Sequence, residues 1–80
     1  MLYSIGIIRL SDNSIHFLAH DWKNLSESIT QANEWMNNIQ QNDKNRFRIF
    51  VVESIPELLN MSNDEQLEIY KNAIYITNYN

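Results

Sequence analysis

The chain has 80 residues, one glycine, one proline and no cysteine, with ten acids against six bases for a net charge of −4. These counts exclude a second domain, a disulfide scaffold, a cysteine-ligated zinc finger and a thiol nucleophile. The negative charge argues against wrapping a nucleic acid, because phosphate neutralisation supplies most of that affinity.

Hydrophobic residues make up 44% of the chain and charged residues 20%, so a folded globule is expected. Residues 2–10 are rich in β-branched side chains and read as a strand, with Tyr3, Ile5 and Ile7 on one face and Ser4, Gly6 and Ile8 on the other. Gly6 within it predicts a bulge or a close backbone approach. Ser11-Asp12-Asn13-Ser14 is a strong turn signal, because Asp and Asn tolerate positive φ. Residues 15–20 form a second strand, with Ile15, Phe17 and Ala19 on one face and His16, Leu18 and His20 on the other. The two strands make a β-hairpin.

Residues 25–41 carry Leu25, Ile29, Ala32, Met36 and Ile39 at steps of four, three, four and three, which is one stripe of an amphipathic helix. Asn24 followed by Glu27 fits an N-terminal cap. Residues 46–53 form a third strand, with Phe47, Ile49 and Val51 opposite Arg48, Phe50 and Val52. Its run IFVV is apolar on both sides and suggests a central place in the sheet. Pro56 to Met61 reads as a single helical turn. Ser62-Asn63-Asp64-Glu65 is a capping box opening a helix over 63–72, striped by Leu67, Tyr70 and Ile74. Residues 73–77 suit a short final strand.

The expected fold class is therefore α+β, a single small domain of order ββαβα, with a possible closing strand. The expected sheet order is 2-1-3, with the helix 25–41 packed on one face. The other face is covered by the C-terminal segment or by a partner.

The chemistry-bearing residues are few. His16 and His20 would lie on one strand face about 13 Å apart, from the ~3.3 Å rise per residue, too far for one metal ion. Asp64, Glu65 and Glu68 complement the dipole of the last helix. Lys44, Arg46 and Arg48 enclose Phe47, but three bases make a weak phosphate site. Phosphate-cradling loops need glycines that the chain lacks, and no nucleophile motif is present. No enzyme activity, cofactor, metal site or catalytic residue is expected.

Nine aromatics exceed what a thin core must hold, and Tyr and Trp are common interface anchors. The predicted interface residues are Asp12, Asp21, Trp22, Glu27, Glu34 and Tyr79, with Trp22 and Tyr79 read as the exposed pair. The expected partner is a host or competitor protein with a basic surface, or a second copy in a homodimer. Direct nucleic-acid and membrane partners are not expected. No run approaches the ~18 apolar residues of a membrane span. The first ten residues lack the basic flank and cleavage site of a signal peptide. A secreted domain this small would usually be stapled by disulfides, so a cytoplasmic location is expected.

Twelve asparagines and eleven isoleucines point to a low-GC genome, since their codons are AT-rich. Short, acidic, cysteine-free and without a catalytic motif, the chain is similar in type to small phage and mobile-element proteins, among them the anti-CRISPR inhibitors. That resemblance implies action by binding, as a stoichiometric inhibitor, and transfers no site residue. A homo-oligomeric structural or regulatory protein, and a small metal-dependent or ligand-binding protein, are the alternatives.

Overall fold

The computed structural model describes residues 1–77. In chain order it has β1 (Tyr3–Arg9), β2 (Ser14–Trp22), α1 (Leu25–Asn38), β3 (Phe47–Glu53), α2 (Asn63–Lys71) and β4 (Tyr75–Ile76). Single 3-10 turns occupy Gln41–Asp43 and Leu58–Asn60. The sheet order is β2-β1-β3-β4, and every neighbouring pair is antiparallel. The expected 2-1-3 order holds, with β4 added outside β3. Among the described residues no helix is long and apolar enough to cross a membrane.

The hairpin turn follows from its side chains. Asp12 accepts from the Ser14 amide at 3.0 Å and takes a forked ion pair from Arg9, at 3.1 Å from Nε and 2.7 Å from Nη2. Asn13 sits at φ 58°, a conformation Asn adopts more readily than most residues.

The sheet separates two apolar clusters. Ile5, Ile49 and Val51 face α1 and pack on Ala32 and Met36, with Leu25, Ile29, Trp35 and Ile39 around them. Ile8, Phe50 and Val52 face the other way and pack with Ile15, Leu58, Leu67 and Tyr70. The question left open by the sequence is thereby answered: the C-terminal segment covers the second face. Ile49, Phe50, Val51 and Val52 are all buried, as a central strand requires.

The helices end where their caps place them. Asn24 accepts from the Glu27 amide at 3.0 Å and starts α1. The chain leaves the helix at Ile39 in an extended conformation, so α1 is shorter than residues 25–41, although Ile39 still packs on the core. In α2, Ser62 and Glu65 cap each other's amides at 3.2 and 3.0 Å. Ile74 does not join the α2 stripe. It comes after the helix, is 47% exposed, and donates its amide to Val51 as β4 begins.

Gly6 is the one position in β1 where a missing side chain is required. It lies opposite Phe50, and a Cβ there would stand 2.5 Å from Phe50 Cζ. The ring fills the space above the glycine. Phe17 and Tyr70 meet it edge-on, at centroid separations of 5.8 and 4.9 Å.

The second strand departs from the expected alternation. Ile8 pairs with Ile15 and Gly6 with Phe17, but Ile5 pairs with Ala19, so Leu18 has no opposite number. Tyr3 then pairs with Trp22, which sets His20 and Asp21 together against Ser4. Each extra residue is a β-bulge, and each reverses the facing of the residues after it. Ile15 and Phe17 therefore belong to the cluster under α2, while Ala19 belongs to the cluster under α1.

Candidate binding cleft

The bulges decide where the polar residues go. His16 pairs with Ile7 on the α1 side, whereas His20 reaches Ser4 on the opposite side of the sheet. The expectation that both histidines share a face is thus corrected: they lie on opposite faces. Asp21 takes φ 60°, and this left-handed residue closes the second bulge.

A cleft of about 280 Å³ opens at this end of the sheet, lined by Leu2, Ser4, His20, Asp21, Ser54, Ile55, Pro56, Leu58 and Leu59. Ser4 points into it because it shares the face of Gly6 and Ile8. Ser54 continues β3, held by its amide donating to the Leu2 carbonyl at 2.8 Å. The two serine hydroxyls are hydrogen-bonded at 2.5 Å, and Ser4 Oγ lies 3.4 Å from His20 Nδ1. Ser4 is buried, at 1% exposure. The floor is thus a small polar group whose members bond one another.

The walls are different. Leu59 is 62% exposed and Leu2 is 38% exposed. Pro56 and Glu57 are exposed on the loop between β3 and Leu59. Water-exposed leucines around an internally paired floor suit an incoming apolar side chain. Nucleophilic chemistry would need a carboxylate orienting the histidine as well as a base for the serine. Among the described residues the hydrogen bonds of His20 include no carboxylate.

A second groove, of about 400 Å³, is lined by Val52, Glu53, Ile55, Glu68, Ile69, Asn72 and Ile74. It shares Ile55 with the cleft. At the far end of the sheet, Arg9, Leu10, Asp43, Arg46 and Phe47 line a larger depression of about 610 Å³. Its charges are used locally. Arg9 pairs with Asp12 at 2.7 Å and Arg46 with Asp43 at 3.6 Å, while Arg48 donates to the Phe47 carbonyl at 2.7 Å. The Arg9 guanidinium also holds the Asp12 carboxyl well below the usual carboxylate range, helped by the Ser14 amide.

Comparison with protein-family models, curated proteins and solved structures finds no match.

The predicted interface residues are not brought to one place. Asp12 lies at the hairpin turn, bound to Arg9. Asp21 lies at the opposite end of β2 and lines the cleft. Trp22 is half-buried and packs against the cluster under α1, which corrects its reading as an exposed residue. Glu27 and Glu34 are exposed on α1, seven residues and so about 10.5 Å apart along its axis. That helix covers the face of the sheet away from the cleft. Tyr79 lies outside the described residues. Of the five that are described, Asp21 alone lines the cleft. Ser4, Ser54, Leu2 and Leu59 carry no signal in the sequence, because the β1–β3 register is what unites them.

Proposed function

We propose that the protein is a small non-enzymatic protein-binding module that works by covering part of another protein's surface. This is the mode of small inhibitors encoded by phages and mobile elements, the anti-CRISPR proteins among them. The observation that carries the proposal is the pair of exposed leucines, Leu2 and Leu59, on the walls of a cleft whose polar floor is already paired. Apolar side chains held in water at a concave site lower their free energy when a partner covers them, by roughly 25 cal/mol per Å². A cysteine-free chain suits a reducing cytoplasm, which is where we place its action.

The free edge of β2 speaks against self-association by strand pairing. Two bulges interrupt it. Asn63 also occupies its start, accepting from the Ile15 amide at 3.0 Å and donating to the Asn13 carbonyl at 2.8 Å. Bulges and covered edges are the usual devices that prevent such pairing.

The test uses the immobilised full chain and its Leu59→Asp variant in host lysate, with thermal unfolding of both as a control. A protein retained by the first and lost from the second, with unfolding unchanged, supports the proposal. Equal retention by both, or no retained protein, counts against it. Light scattering over a concentration series addresses the homo-oligomer, which predicts a rising mass.

A further inference from the structure

The cleft and the second groove adjoin at Ile55, and the two together are called the track. Ile55 is a wall of both. Leu2 and Leu59 stand exposed in the first and Ile74 in the second, so three large apolar side chains left in water line this track. Two apolar depressions that share a wall residue fit two neighbouring anchors of a single segment.

The charges along the track have one sign. Asp21 lines the first groove, and Glu53 and Glu68 line the second. Glu57 lies on the loop between Pro56 and Leu58 and is exposed. Among the described residues no lysine or arginine lines either groove. Glu68 is paired with Lys71 at 3.2 Å, while the ion pairs of the described residues leave out Asp21, Glu53 and Glu57. At the other end of the sheet the acids Asp12 and Asp43 are matched by arginines. The contrast gives the track a net negative rim, in which Glu68 is compensated by Lys71 while Asp21, Glu53 and Glu57 enter none of the ion pairs of the described residues. Such a rim selects the sign of the partner and speeds its approach, while the apolar anchors supply most of the affinity.

Resting on the protein-binding reading above, we infer that the partner presents a segment with two aliphatic side chains set among lysines or arginines. The segment lies across Ile55, one aliphatic side chain enters each groove, and the bases face Asp21, Glu53 and Glu57. An acidic segment of the same shape is rejected by the rim.

The experiment maps backbone amide shifts of the whole chain with two synthetic peptides. Both carry two leucines at the same spacing, one among lysines and the other among glutamates. The lysine peptide is expected to move the amides of Asp21, Ser54, Ile55, Leu59 and Ile74. It is expected to bind about ten-fold more tightly than the glutamate peptide, the size that a few exposed ion pairs supply. In the triple variant Asp21→Asn, Glu53→Gln, Glu57→Gln that preference should fall to within about two-fold. Asn accepts the left-handed backbone of position 21, so the fold is kept. Equal binding of the two peptides, no binding of the lysine peptide, or shifts away from the track overturns the inference. Lysate capture separates protein binding at the cleft from the basic character of the partner. A protein lost from Leu59→Asp yet fully kept by the triple variant leaves the binding module standing and removes its basic partner.

Discussion

Replacing Gly6 by alanine tests the packing that positions the cleft. The new Cβ would stand 2.5, 2.9 and 3.0 Å from three carbons of the Phe50 ring, against the ~3.5–4.0 Å of ordinary carbon contacts. The ring has little room to retreat. Phe50 is fully buried, and Phe17 and Tyr70 meet it edge-on. Overpacking of this kind costs about 1–3 kcal/mol. Alanine also restricts the unfolded chain, which returns ~0.4–1 kcal/mol. The midpoints of these two terms leave a loss of about 1.3 kcal/mol, or ~5–10 °C in melting temperature for a domain of this size. Thermal unfolding followed by circular dichroism measures it. Phe50→Leu in the Gly6→Ala background supplies the second arm, since a smaller side chain removes the clash. The two substitutions should couple by about 1 kcal/mol or more. An unchanged or raised melting temperature in Gly6→Ala would show that the Phe50 ring does not close over Gly6.

Asn63→Ala removes both bonds that cover the start of β2, so stability should fall by about 1 kcal/mol and hydrogen exchange at the Ile15 amide should quicken. Unchanged exchange there would mean that the edge is protected by something else. Ser62→Ala breaks the capping box of α2 and should cost about 1 kcal/mol in urea unfolding, with no change in the slope against urea. The Asp12 carboxyl should titrate well below an ordinary aspartate, because Arg9 and the Ser14 amide favour its charged form. Its folded value is depressed, so its contribution is complete above the unfolded value of ~3.9 and declines as the pH falls below that. A carbon NMR titration showing an ordinary midpoint for Asp12 would contradict the fork with Arg9.

Much of the fold is legible in the sequence because it rests on local periodicity. The stripe from Leu25 to Ile39, the Ser62 capping box and the apolar run of β3 each sit where their pattern puts them. The second strand escapes such a reading for a physical reason. Strict alternation assumes an unbroken ladder, and a bulge leaves no compositional mark when Leu18 supplies the extra residue. Asp21 hides the second bulge, since aspartate enters the left-handed region without a glycine to announce it. The polar neighbours Asp21 and Lys23 make Trp22 look exposed, yet the second bulge turns it onto the cluster under α1. The site is less legible than the fold. Ser4 and Ser54 are 50 residues apart and meet only because β1 and β3 pair with Tyr3 opposite Glu53. Leu59 is an ordinary apolar residue of a helical turn until the turn leaves it in water.

In the proposed binding module, the partner protein sits in the cleft at Leu59. A photoreactive side chain placed at position 59, and for comparison at exposed Asn38 at the end of α1, tests it directly in host lysate. Binding in the cleft predicts one discrete protein adduct from position 59, none from position 38, and loss of that adduct when Leu2→Asp is added. Adducts of equal yield from both positions, or an adduct at 59 indifferent to Leu2→Asp, would contradict it.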